Sequence, residues 1–515
     1  MPIDRARLCR LTVLSLVLTA SALRAEAPLS AIDWLSESLI TPVAQPKPVE
    51  PDVVEGGALP EVVAVTPLDH ASPDGVGILP ASVTGLPRNL WGLGKTDEII
   101  TALNGPGLEA LPALQGLMIT LLLAEAEPPT DAGVSGRLLI ARIDRLLAMG
   151  ALDQARALID AAGPASSPDL FRRSFDIAIL TGGEDLACRT MTATPGLAPA
   201  LPARIFCLAR SGDWQAAALT LQTAVALEQV TASEASLLAR FLDADLTETE
   251  LVPPPPNPVT PLVLKLYEGI GEPLSASALP LAFSQADLST ATGWKGQIEA
   301  AERLVRAGAI GPNLLLGLYT ERQPSASGGV WNRVAAFQDF DAALTAADVE
   351  AVARTLPPAW AAMISVELEV PFAVLFADKL AKLPLTGAAA ALARDVALLS
   401  PGYERLSADR TGADVRETFL IGVARGSVAG LAPPDSMARA IAPAFGDAVL
   451  SDQAVQMLDQ LRMGEVMIHA MHKIAMGVQG DLRGVTEGLA VLRRVGLEDV
   501  ARRTALELML LERRG

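Results

Sequence analysis

Three observations in this 515-residue chain predict an all-α fold. From Thr96 onward, nearly every segment repeats its apolar residues with a helical period. Aromatic residues make up only 4% of the chain while Ala and Leu dominate, and no segment alternates apolar and polar residues as a half-buried strand does. The expected architecture is an α-solenoid of antiparallel helix pairs in two helical lobes, preceded by a disordered N-terminal tail.

The chain opens with Arg5, Arg7 and Arg10, continues with an apolar run over residues 11–23, and then places small residues at Ala20, Ala22, Ala25 and Ala27. That order is the layout of a secretory signal peptide. The reading is residues 1–25 as a signal, cleaved after Ala22, Ala25 or Ala27. The run is too short to span a hydrocarbon core, which needs about 20 residues. Cys9 precedes the apolar run, whereas a lipid-anchored cysteine would follow it. The expected location is therefore periplasmic or secreted, with no stable membrane span after cleavage.

Residues 26–40 contain LSAIDWLSESLI, in which Ile32, Leu35 and Leu39 share a helical face beside Trp34. So short a helix is marginal alone and gains stability by laying its apolar face in a groove. These four residues are the first candidate partner-binding set. Residues 41–87 are rich in Pro, Gly, Val and acidic residues, as in PVAQPKPVEPDVVEGGALPEVV, and read as a disordered linker. As a flexible coil it would span about 35–40 Å.

Residues 88–251 read as the N-terminal helical-repeat lobe. The apolar stretch 108–124 holds Pro112, Gln115, Gly116 and Thr120 and is expected as a buried helix of the body. Leu139, Ile143, Leu146 and Leu147 form one apolar stripe, and Leu152, Ala155, Leu158 and Ile159 the next. Thr231 with Glu234 and Asp414 with Glu417 have the spacing of capping boxes. Cys188 and Cys207 survive cleavage. In an oxidising compartment they are a candidate disulfide across the turn between two helices, the alternative being two buried thiols.

Glycine turns organise the pairs. The pattern Leu, Gly, Ala recurs as Leu146, Gly150, Ala155, as Leu208, Gly212, Ala217, and as Leu492, Gly496, Ala501, with looser versions at Gly183 and Gly308 and a further candidate turn at Gly464. A glycine ends one helix in a left-handed conformation, and the small Ala lets the next helix approach. The segments GALDQARALI, GDWQAAALTL and GLEDVARRTAL resemble tetratricopeptide-type helical repeats over about a third of the chain. The resemblance implies a curved stack whose concave face binds a peptide or protein. The consensus aromatic and proline positions are mostly absent, and the period fails between about residues 245 and 455. The whole chain also resembles secreted helical proteins of alphaproteobacteria, a resemblance that implies no particular activity.

At residues 252–261 the sequence VPPPPNPVTP cannot be helical and is read as a linker, with residues 262–515 as the C-terminal lobe. The loop ERQPSASGGVWNR in that lobe is a candidate anion or peptide site. Ser327, Gly328 and Gly329 precede a helix start, and Arg322 and Arg333 flank it.

Metal and enzyme signals are weak. Glu465, His469 and His472 share one helical face and could bind a divalent metal with outside help, while Met463, Met467 and Met471 raise copper(I). At about 100° per residue the two sets face apart. The expectation is a methionine packing face with Glu and His toward water, so no metal or cofactor is assigned. No nucleophile elbow, phosphate-binding loop or dinucleotide fingerprint appears. A glycan-cleaving enzyme would need an acid of raised pKa in a cleft, and the sequence marks none. Net charge is −18, or −21 without residues 1–25, which argues against nucleic acid and anionic lipid as partners. The expected function is a non-enzymatic scaffold or adaptor that binds a protein partner of the cell envelope, with a cell-wall glycan-acting enzyme or accessory factor and a copper-binding protein as alternatives.

Overall fold

The structure, a computed structural model, describes residues 72–107, 111–243 and 252–511. The signal and the segment holding Ile32, Trp34, Leu35 and Leu39 lie outside the described residues. Within them the protein is all-helical, and its one β-type contact is an isolated bridge between Leu79 and Ala124.

After single turns at Pro73–Gly75 and Ala81–Thr84, the first longer helices are α1 (Thr96–Leu103), α2 (Pro112–Leu123), α3 (Arg137–Ala148), α4 (Leu152–Ala162) and α5 (Pro168–Thr181). They are followed by α6 (Glu184–Ala193), α7 (Leu201–Arg210), α8 (Trp214–Ala226), α9 (Ala232–Leu242) and α10 (Pro261–Gly269). Local chemistry sets their ends. Ser167 Oγ accepts from Leu170 N–H with Pro168 in the first helical turn, and Asp213 accepts from Ala216 N–H. Thr231 and Glu234 form the predicted capping box. Gly150 and Gly212 turn the chain at φ of 72° and 87°, as the glycine spacing predicts.

Two glycine assignments need correcting. The left-handed residue after α5 is Gly182, while Gly183 has φ −97° and begins the next helix. Gly464 is not a turn at all but lies inside a helix, and the left-handed position is Leu461 at φ 58°.

The chain continues through α11 (Trp294–Arg306), α12 (Pro312–Thr320), α13 (Val330–Thr345), α14 (Val349–Ile364), α15 (Glu369–Leu380) and α16 (Gly387–Leu398). The last group is α17 (Tyr403–Ser407), α18 (Val415–Ala424), α19 (Ser436–Ile441), α20 (Asp452–Asp459), α21 (Met463–Val478), α22 (Leu482–Arg494) and α23 (Glu498–Leu510). Short 3-10 turns at Leu281–Leu288 and Ala442–Phe445 interrupt the pairs, which is why no period is readable through this block. Asp414 caps α18 as predicted, with Glu417 reaching back one residue further to Ala413 N–H.

The core does not divide at the proline run. One apolar core joins residues of α1 to α5 with residues from Ala276 to Leu511. A second, smaller core is built from α5 to α10. Helix α5 is the shared wall: Leu170, Ile177 and Leu180 face the large core while Phe171, Phe175 and Ile179 face the small one. The lobes are therefore a main body and a small lobe inserted into it at about residues 168–274, instead of halves separated at residues 252–261.

The two ends of the body are in contact. Helix α1 packs on α21, and α2 packs on α21 and α23, so the stack is not an open array. Residues 88–94 make the closure possible. Gly464 N–H donates to Leu90 O at 2.8 Å and Leu93 N–H to Gln460 O at 3.1 Å, with Trp91 lying over Gly464. A Cβ on Gly464 would fall 2.5 Å from the Trp91 ring, which explains a glycine inside a helix. Residues 72–87, read as part of a linker, are folded onto the body. Asp74 is buried and accepts from Leu139 N–H at 2.7 Å, and Ile78 N–H donates to Leu123 O. Fully buried Arg142 donates to the carbonyls of Leu122, Ala124 and Val76, tying this segment to the end of α2; burial lowers its pKa to about 10 despite nearby Asp74.

Candidate binding cavity in the small lobe

The small lobe is held at one side by a covalent link. Cys188 on α6 and Cys207 on α7 form a disulfide with Cα atoms 5.1 Å apart, which settles the alternative left open by the sequence. Glu184 beside it lies 3.6 Å from both Arg210 and Lys265, joining α6 to α7 and α10.

Across the lobe, residues 252–260 cross as an extended strap. Tyr267 of α10 donates its hydroxyl to Pro253 O at 2.5 Å and fastens the strap to the lobe. Proline explains the conformation: its fixed φ favours extended chain, and it brings no N–H that would need a partner. Beneath lies a cavity of about 680 Å³ whose apolar walls include Phe175, Pro202, Leu237, Pro254, Val263 and Leu266. Its charged lining residues are Asp176, Glu228 and Glu234; no Lys, Arg, His or Cys lines it among the described residues. Glu234 is partly engaged by the Thr231 cap.

Asp176 is the unusual member. At about 100° per residue it falls between the two apolar faces of α5, at the seam of the cores. It is 8% exposed, and its Oδ2 has no hydrogen-bond partner. Neither neighbouring guanidinium hydrogen-bonds to it. Arg173 holds Asp144 of α3 through bonds of 2.5 and 2.7 Å, and Arg172 leans toward Asp169 at 3.7 Å. Burial raises the Asp176 pKa to about 7, partly countered by Arg173 and Arg172 and reinforced by Asp144. A carboxyl of this kind can donate a hydrogen bond when neutral or receive a cation when charged. The sequence marked no such acid, because a single Asp in a helix carries no spacing signal. Its one legible hint is an acid within the otherwise apolar run FDIAIL.

The other candidate residues are placed as follows. Ser327, Gly328 and Gly329 do precede α13, but Gly328 N–H donates to Asn332 Oδ1 at 2.9 Å. Arg333 is turned inward onto Glu302, with bonds of 2.9 and 2.7 Å, and Glu302 also accepts from Tyr319 at 2.5 Å. Burial and the Glu302 carboxylate together push the Tyr319 phenol well above its usual pKa. Arg322 pairs with adjacent Glu321 at the surface. The structure therefore does not bring Arg322 and Arg333 together over the glycines.

On α21, Met463 is half-buried and Met467 and Met471 are buried in the core, as expected. The opposite face is not toward water. Glu465 is 1% exposed and paired with Arg462, while His472 sits against the carbonyls of Pro106 and Ala102. Burial and nearby His472 lower the pKa of His469. This face is covered because the α1 region closes over it. No cluster of three His, Cys, Asp or Glu able to hold a metal occurs among the described residues, and none of their helices is long and apolar enough to cross a membrane.

Comparison with protein-family models, curated proteins and solved structures finds no match. The fold and site therefore define the class directly: a closed body of helical hairpins carrying a disulfide-linked small lobe with a proline-strapped cavity.

Proposed function

We propose that this protein is an exported scaffold or adaptor of the cell envelope, in which the main body is the frame and the small lobe docks a protein partner. The observation that carries this reading is α8. Trp214–Ala226 contains no charged residue, and it exposes Trp214, Leu219 and Val225 to solvent, followed by exposed Leu227. At about 100° per residue Trp214 and Val225 share one side of α8 and Leu219 lies roughly 120–140° from them, so exposed apolar side chains on two sides of an uncharged helix support a contact surface. Exposed Leu186 on α6 of the same lobe adds to it. The Trp34 segment is the second proposed contact.

The test is a photoreactive residue placed at Leu219 in cells, compared with one at Arg483, whose side chain is 88% exposed on the main body. Supporting the reading, a discrete adduct forms at position 219 and disappears when Val225→Glu is added. Equal labelling at both positions would refute it. The glycan-acting alternative retains one supporting observation, the acid Asp176 in a cavity. Against it stands the lack, among the described residues, of a second carboxyl shown to be poised opposite Asp176; of the other lining acids, Glu234 is engaged by the Thr231 cap. Release of soluble fragments from purified sacculi separates the two readings.

A further inference from the structure

We infer that the cavity beneath the proline strap is a binding site for an organic monocation, an ammonium group carried on an apolar body. The inference is independent of the α8 contact surface and rests on four observations. The cavity, about 680 Å³, is in the size range that encloses small ligands. Its walls combine prolines, aliphatic side chains, Phe175 and Tyr267, which receive an apolar body, with neutral polar groups such as Gln229, Ser233 and Asn257. Every charged side chain lining it is a carboxylate, so an anion is repelled. Most specifically, Asp176 is buried with Oδ2 unpartnered: Arg173 is held by Asp144, and Arg172, 3.7 Å from Asp169, makes no hydrogen bond to Asp176.

A buried carboxylate lacking a donor is costly. A neutral apolar ligand would fill the space and leave that cost in place. An ammonium group supplies both the charge and the hydrogen bond that Asp176 lacks, while its carbon body displaces water from the walls. The ammonium can belong to a free amine or to a lysine side chain presented by a peptide, since both offer the same group at the end of a short alkyl stem.

The experiment is calorimetric titration of the full chain with hexylamine, hexanol, hexanoate and an acetylated, amidated lysine tetrapeptide. The expected result is hexylamine bound at least tenfold tighter than hexanol and hexanoate not bound. In Asp176→Asn, with unchanged helical circular dichroism, the advantage of hexylamine over hexanol should fall tenfold or more. Leu262→Trp, which narrows the cavity and leaves Asp176 in place, should weaken hexylamine and hexanol together. Tighter binding of the peptide than of hexylamine assigns the site to a lysine side chain, and the reverse order assigns it to a free amine. Hexanol bound as tightly as hexylamine, hexylamine bound equally by Asp176→Asn, or no binding of any amine would each overturn the inference.

Discussion

Replacing Asp176 by Asn should stabilise the protein at alkaline pH and leave it unchanged in acid. The carboxyl is raised from 3.8 to about 7 by burial. Between those two values the native state holds a proton that the unfolded chain has released, so native stability falls as pH rises through this window. The full penalty, present above pH 7, is about three pKa units at 1.36 kcal/mol each, or roughly 4 kcal/mol as an upper figure. Below pH 3.8 both states are protonated and the penalty vanishes. Asn keeps the shape and cannot ionise, so the variant avoids the penalty at every pH. The assay is urea unfolding of wild type and variant in parallel at pH 4.5 and pH 8, with the difference between them isolating this one group from all other titrations. The expected gain is several kcal/mol at pH 8 and well under half of that at pH 4.5. A gain of equal size at both pH values, or a loss at pH 8, would show that ionisation of Asp176 costs the native state nothing and that the burial argument is wrong.

Two further perturbations address the parts that hold the small lobe and the closed body. Replacing Cys188 and Cys207 together by Ala removes a link across 19 residues and should cost about 3 kcal/mol on the chain-entropy account; hydrogen exchange should accelerate in α6 to α8 and stay unchanged in α13 and α14, and uniform acceleration would argue against a separate small core. Gly464→Ala sets a methyl group against the Trp91 ring and should cost about 1–3 kcal/mol, read as faster exchange at residues 88–103; an unperturbed variant would show that Trp91 does not lock the two ends together.

What the sequence makes legible follows from what is periodic. The stripes through Leu139 and Leu152, the cap at Thr231 and the glycines at 150, 212 and 496 act within a few residues, so their signals are local and the helices are where they are expected. Contacts across the chain leave no such record. Glycines 92 and 94 look like loop residues, yet each lies where a Cβ would strike α21 or the turn before it. Likewise, residues 72–87 have no helical period because they form only single turns, at Pro73–Gly75 and Ala81–Thr84, and bond to the end of α2 and to Arg142. The Pro-rich composition that points to a disordered linker therefore misplaces residues 72–87, which are ordered against the body. The helical wheel turns Glu465 toward water because it contains no information about a segment more than 350 residues earlier folding over it. Arg333 fails as an anion ligand for a similar reason: Glu302, on a neighbouring helix, takes its fork first.

The two unusual features of the small lobe explain one another energetically. A core drawn from about a hundred residues buries a smaller share of its surface than a large one and has little stability to spare. Into this core the chain places a carboxyl whose burial costs at most about 4 kcal/mol at neutral pH and above. The disulfide contributes about 3 kcal/mol in the opposite direction, and it joins α6 to α7, the helices whose neighbours line the cavity. A nonpolar side chain at position 176 would lift that penalty. Retaining both an expensive acid and a covalent link that offsets it is understandable if the acid has a partner that the isolated chain does not supply. The position of Asp176 adds to the argument, since it lies one turn from the Arg173–Asp144 pair that joins the lobe to the main body. A cation bound there would neutralise Asp176 and remove its repulsion of Asp144, so charge compensation in the cavity would be felt first at the junction of the two cores.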